Sequence, residues 1–133
     1  MEQSQPASQL ESLLVDEGEQ ALDALLQKIL QPYATFTRSG RMISKPEFLK
    51  LSHTGRLLVC LLGRRAMVRL ALPNATLELT PEQMEAECAI PLKSCREYVS
   101  RMKARRLLDK NAIGYFVPTW AVQTACETVE KGA

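Results

Sequence analysis

The chain has 133 residues, 17 Lys and Arg against 15 Asp and Glu, one His and four Cys. That length suits one domain with an appended helix, and 46% apolar with 24% charged residues is the balance of a folded globular protein rather than a disordered chain. The longest apolar run, Leu57 to Leu62, is too short to span a bilayer, and the acidic, Gln- and Ser-rich start lacks a signal-peptide pattern, so a cytoplasmic protein without membrane contact is expected.

Residues 1–31 read as an acidic amphipathic helix. Leu10, Leu13, Leu14, Ala21, Leu22, Leu25, Leu26 and Ile29 recur at helical spacing, Gly18 favours a kink, and Pro32 ends the pattern. Glu2, Glu11, Asp16, Glu17, Glu19 and Asp23 face only Lys28, so this segment carries −5 and the rest of the chain +7. Such a helix either covers its own domain, docks a different protein or pairs with a second copy, and homodimerisation is the preferred expectation. Residues 32–47 fit two descriptions: a basic connector, or a hairpin with Tyr33, Thr35 and Thr37 on one strand and Arg38-Ser39-Gly40 turning into Met42-Ile43.

A long helix is expected from about Thr54 to Leu72, capped by Ser52 or Thr54 and stopped by Pro73-Asn74. Leu57-Leu58-Val59-Cys60-Leu61-Leu62 is apolar around the whole circumference, which marks it as the central helix. Arg56, Arg64, Arg65 and Arg69 share no face and are expected to reach water. Thr80-Pro81-Glu82-Gln83 then spells a helix start: Thr80 as N-cap, Pro81 in the first turn, and Gln83 closing a capping box. This short helix runs to about Cys88, Ala89-Ile90 turns, and Pro91 opens a second helix to about Arg106, the proportions of a helix-turn-helix.

The second helix turns Cys95, Tyr98, Val99 and Met102 inward. Lys93, Glu97, Ser100 and Ala104 centre its opposite face, flanked by Arg96 and Arg101. From Pro91 to Lys110 seven basic residues face only Glu97 and Asp109, a density that suits either an anionic partner or a solvated face. Residues 107–117 read as a minimal hairpin turning at Lys110-Asn111, and Thr119 to Val129 as a last helix with Trp120, Val122, Ala125, Cys126 and Val129 on its apolar side.

From Leu79 to Val117 these residues resemble the winged helix-turn-helix superfamily of DNA-binding regulators, and with Thr54 to Leu72 as the family's first helix the likeness extends from Lys45 to Val117. It rests on the capped short helix, the turn ending in Ile90, inward Cys95, Val99 and Met102, and the run Met102-Lys103-Ala104-Arg105-Arg106-Leu107-Leu108 entering the hairpin. Three positions depart from the pattern. Ala89 replaces the turn Gly and calls for right-handed backbone there; Glu85 stands where a small Ala usually packs; Arg106 replaces a Gly before the hairpin.

The resemblance implies a mainly α fold with a small β-hairpin wing, a winged helix-turn-helix domain at 48–118 between the N-terminal helix and a C-terminal helix at 119–133, and binding to double-stranded DNA in transcriptional regulation. In that reading Lys93, Ser94 and Arg96 reach base edges, Glu97 accepts from a cytosine amino group, and Ser100 permits close approach. Arg101, Lys103, Arg105 and Lys110 meet phosphates, with Asn111 at the wing tip. A homodimer through the N-terminal helix, and the C-terminal helix as well, would read two half-sites. The alternative is a winged-helix protein-interaction subunit of a larger complex. No phosphate-binding Gly loop, metal-ligand cluster or nucleophile motif stands out, so no enzyme, cofactor or metal is expected, and Cys60, Cys88, Cys95 and Cys126 read as buried thiols.

Overall fold

The computed structural model describes residues 20–132. These residues are mainly helical with two small antiparallel hairpins. Helix α1 is described over 20–30, so the residues from Gln9 onward that precede it, and the kink expected at Gly18, lie outside the described residues. Leu26, Ile29 and Leu30 of α1 are buried in the chain's own core. Of the two descriptions open for residues 32–47, the structure takes the hairpin: β1 (Ala34–Phe36) pairs with β2 (Met42–Ser44), Thr35 opposite Ile43. Gly40 turns it at φ +92°, where an added Cβ would collide with the Pro73 carbonyl oxygen. A 3-10 turn, Pro46–Lys50, buries Phe48 and leads to the long helix.

That helix, α2 (His53–Arg69), is capped by Ser52, whose hydroxyl accepts from Gly55 N at 3.1 Å. Every residue from Leu57 to Gly63 is buried, so α2 forms the centre of the fold, each enclosed Leu contributing about 1.5–3 kcal/mol over exposure. It ends earlier than the Pro73-Asn74 stop predicts. Ala71 takes left-handed backbone at φ 54°, with Ala71 N donating to Val68 O and Leu72 N to Met67 O, the Schellman closure that terminates a helix before any proline is met.

Helices α3 (Pro81–Cys88) and α5 (Val122–Glu130) pack on α2, and α4 (Leu92–Ala104) packs chiefly on α3. β3 (Asp109–Lys110) pairs with β4 (Tyr115–Phe116). Leu79, just ahead of α3, adds a third rung by exchanging both backbone hydrogen bonds with Tyr115 at 2.9 Å. Val122, Ala125, Cys126 and Val129 bury the inner face of α5 as the spacing predicts. Trp120 departs from it: it sits in a 3-10 turn, Thr119–Ala121, and is 60% exposed. On a 3.6-residue repeat it falls opposite that stripe, so its type and not its period argued for burial.

Of the α2 arginines expected to reach water, Arg69 is exposed and Arg56, Arg64 and Arg65 are half-buried, and each is engaged by the protein. Arg56 donates to the carbonyls of Leu51, Leu49 and Ala89, and Arg64 to both oxygens of Thr76. Arg65 donates to Val117 O and Thr119 Oγ1, and Arg69 forms a two-point pair with Asp23 at 2.8–2.9 Å. Arg56, Arg64 and Arg65 thus reach loop carbonyls and hydroxyls with their five fixed donors, whereas Arg69 ties α2 to the Asp23 carboxylate of α1. Among the described residues no helix is long and apolar enough to cross a membrane.

Candidate nucleic-acid interface

The surface around α4 is built from α3 upward. Thr80 Oγ1 accepts from Gln83 N at 3.2 Å while Gln83 Oε1 accepts from Thr80 N at 2.9 Å, so both halves of the capping box are made. Met84 and Cys88 face inward and leave Glu85 outside, in place of the packed small residue of the family pattern. Its carboxylate accepts from Leu92 N at 3.0 Å. That supplies an N-terminal acceptor for α4, whose N-cap is Pro91 and lacks one of its own. Ala89 does not keep right-handed backbone. It lies at φ 57°, ψ 45°, the left-handed conformation a Gly would take, and Arg56 holds its carbonyl at 3.2 Å.

α4 starts one residue later and stops two residues sooner than Pro91 to Arg106. Cys95, Val99 and Met102 are buried, and Tyr98 is half-buried, edge-on to His53 at 5.5 Å between ring centres. The outward residues Lys93, Arg96, Glu97, Ser100, Arg101, Lys103 and Arg105 are all exposed, with Ser94 half-buried beside them. They share one face but not one electrostatic state. Arg96 is paired with Glu82 at 3.1 Å; a hydrogen bond from its own backbone N–H, with the Arg96 guanidinium second, holds the Glu82 carboxyl below its usual range. Arg101 lies over the Tyr98 ring at 5.7 Å and keeps its charge free of any carboxylate among the described residues. Lys93, Lys103 and Arg105 have neither an ion pair nor a side-chain hydrogen bond among the described residues.

α4 leaves through a second Schellman closure. Arg106 N donates to Lys103 O and Leu107 N to Met102 O, with Arg106 itself at φ 64°. An arginine thus takes the conformation expected of the missing glycine, and the chain turns into the hairpin as it would with Gly. In the hairpin, Lys110 sits over Tyr115 at 5.2 Å. Asn111 is exposed, but its side chain is engaged at the turn: its Oδ1 accepts from Ile113 N and Gly114 N, and its Nδ2 donates to Glu78 at 2.7 Å. Gly114 lies so close to the preceding segment that a Cβ would meet Leu79 O at 2.7 Å.

Two residues of this surface are given no binding role by the sequence reading, Arg106 and Trp120, whose guanidinium carbon lies 5.5 Å from the ring centre. The density of basic residues around position 106 was the available signal for the first.

All four cysteines are free and buried. Burial pushes the Cys95 and Cys126 thiols up to about 11, and the neighbouring Cys88 thiol, 2.8 Å away, pushes Cys60 well up, so these three are protonated at neutral pH. A cavity of about 470 Å³ between α1, β1 and the end of α2 is lined by Leu26, Leu30, Phe36 and Leu70 with the Asp23–Arg69 pair, none of them on α4. No family model, curated protein or solved structure matches this chain.

Proposed function

We propose that the chain is a double-stranded DNA-binding protein of winged helix-turn-helix architecture, acting in transcriptional regulation, with α4 entering the major groove and hairpin β3–β4 as the wing. The observation that carries this reading is the outward face of α4, where Lys93, Arg101, Lys103 and Arg105 are exposed cations without a carboxylate partner among the described residues. The tight α3–α4 turn and the wing's backbone union with Leu79 supply the frame that holds such a face.

Within it, Lys93 and Ser94 near the start of α4 reach base edges, and Arg96 does so by exchanging Glu82 for a base. That exchange is inexpensive, since both side chains of the pair are exposed and an exposed ion pair contributes little. Glu97 accepts from cytosine, and Ser100 leaves room for the backbone to approach. Arg101, Lys103, Arg105 and Lys110 meet phosphates. Asn111 belongs to the fold of the wing rather than to the contact.

A homodimer reading two half-sites through the N- and C-terminal helices would use residues other than Leu26, Ile29 and Leu30 of α1 and Val122, Ala125, Cys126 and Val129 of α5, which are buried in the chain's own core. Free thiols at all four cysteines fit a cytoplasmic site of action.

The test is a fluorescence-anisotropy titration of labelled mixed-sequence duplex over a salt series, with wild type and Arg101→Ala/Lys103→Ala. Wild type is expected to show log K falling linearly with log salt, by about 0.9 per neutralised phosphate, and the double variant a shallower line. Absence of binding at low salt overturns the reading and leaves the face as a protein-docking surface.

A further inference from the structure

Charge pairing divides the cations of this molecule into two groups. Lys28, Lys50, Arg69 and Arg96 each face a carboxylate within 3.3 Å. Lys103, Arg105, Arg106 and Lys110, packed into eight residues where α4 gives way to the hairpin, have none among the described residues, and Asp109 between them is engaged as an acceptor for Lys110 N. Two of these four are instead laid on aromatic rings, Arg106 on Trp120 and Lys110 on Tyr115.

Trp120 is the chain's single tryptophan, and it is 60% exposed between Thr119 and the fully enclosed pair Ala121 and Val122. Its base is fixed: Thr119 Oγ1 accepts from Arg65 at 2.7 Å, and Ala121 N donates to Pro118 O at 2.9 Å. A large ring held out on a rigid turn, with a guanidinium already seated over it, has lost most of its freedom before any partner arrives. The guanidinium's Cζ lies 5.5 Å from the ring centre, a contact that uses none of its N–H donors, and no carboxylate among the described residues competes for them.

We propose that Arg106 and Trp120, continued by Lys110, form a second DNA contact beyond the C-terminal end of α4, taking the sugar–phosphate backbone: Arg106 and Lys110 donate to phosphate oxygens while the Trp120 ring packs against deoxyribose. This rests on the DNA-binding reading above and extends its backbone contacts, Arg101, Lys103, Arg105 and Lys110, beyond the C-terminal end of α4 to Arg106 and Trp120.

The experiment uses the full chain and exploits Trp120 as its sole tryptophan reporter. Acrylamide quenching of its fluorescence is measured with and without saturating mixed-sequence duplex, alongside anisotropy titrations of wild type, Trp120→Ala and Arg106→Gln. DNA is expected to shield Trp120 from acrylamide. Each variant is expected to weaken binding about 3-fold, with the salt slope of Arg106→Gln shallower by about 0.9. If duplex binds wild type yet leaves quenching, affinity and slope unchanged in these comparisons, this second contact is overturned while the α4 reading stands. If wild type binds no duplex at low salt, both fall together. Quenching is read on wild type alone, so the result does not depend on how well either variant folds.

Discussion

Both hairpins are pinned by a glycine that leaves no space for a side chain, Gly40 against Pro73 and Gly114 against Leu79, yet they are joined to the molecule differently. β1–β2 is joined by side chains: Ala34 is buried, and Phe36 and Met42 pack over Gly63 at the middle of α2. β3–β4 is joined by backbone, through the Leu79–Tyr115 exchange, and follows directly from α4. Both carry exposed cations, Arg38 and Arg41 on the first and Lys110 on the second. Basic charge is therefore common to both hairpins; in the DNA-binding reading proposed above, what sets the second apart is that it follows directly from the outward face of α4.

The largest effects should come from removing the two pins. Gly40→Ala demands left-handed backbone of an alanine and drives its methyl into a carbonyl, and a loss of about 3 kcal/mol is expected. Gly114→Ala meets the Leu79 carbonyl without the φ penalty, for about 2 kcal/mol. Denaturant midpoints at constant m-value measure both. A loss under about 0.5 kcal/mol at either site would mean that its hairpin is not seated as described.

Next is the split in function. Lys103→Ala/Arg105→Ala should weaken duplex binding about 10-fold and flatten the salt dependence by about 0.9 for each phosphate no longer neutralised. Arg38→Ala/Arg41→Ala should keep the wild-type slope to within about 0.5. Equal slopes for the two pairs would erase the functional distinction between the first hairpin and the end of α4 that leads into the second.

Asn111 sharpens the comparison from within the second hairpin. Asn111→Ala removes an acceptor shared by two backbone N–H groups and a donor to Glu78, and about 1–2 kcal/mol of stability should go with it. The salt slope should stay that of wild type. A shallower slope with unchanged stability would return Asn111 to the DNA interface.

Much of the frame is legible in the sequence. The capping box at Thr80, the Ser52 cap and the inward stripe of α4 all follow from local rules, whereas the second hairpin, expected to turn at Lys110-Asn111, keeps Lys110 in β3 and turns at Ala112-Ile113. The first hairpin is open between two descriptions because its strands are three residues long and Arg38-Ser39-Gly40 is no strong turn signature; packing over Gly63 decides it. On the candidate site, exposure is readable and pairing is not. That Arg96 faces Glu82, that Glu85 caps α4 and that Arg56 holds the Ala89 carbonyl depend on how α2, α3 and α4 meet.

Left-handed backbone at residues with a side chain is the other feature hidden from sequence, and it yields the smallest and most informative change. Ala71 beside the first hairpin's anchor and Ala89 ahead of α4 lie at φ 54° and 57°. A Cβ there costs roughly 1–2 kcal/mol, partly offset by the greater unfolded-state entropy of glycine. Ala71→Gly and Ala89→Gly should therefore each stabilise the chain by about 0.5–1 kcal/mol, read as a raised denaturant midpoint. Their effects on binding should differ. Ala71→Gly touches nothing that orients α4, so affinity should not move. Ala89→Gly frees the hinge between α3 and α4, where the Arg56 hydrogen bond and the Glu85 cap would then hold the helix in place. If those contacts suffice, affinity stays constant as stability rises. If affinity falls, the strained alanine was itself orienting α4, and the helix-turn-helix depends on backbone strain at that turn.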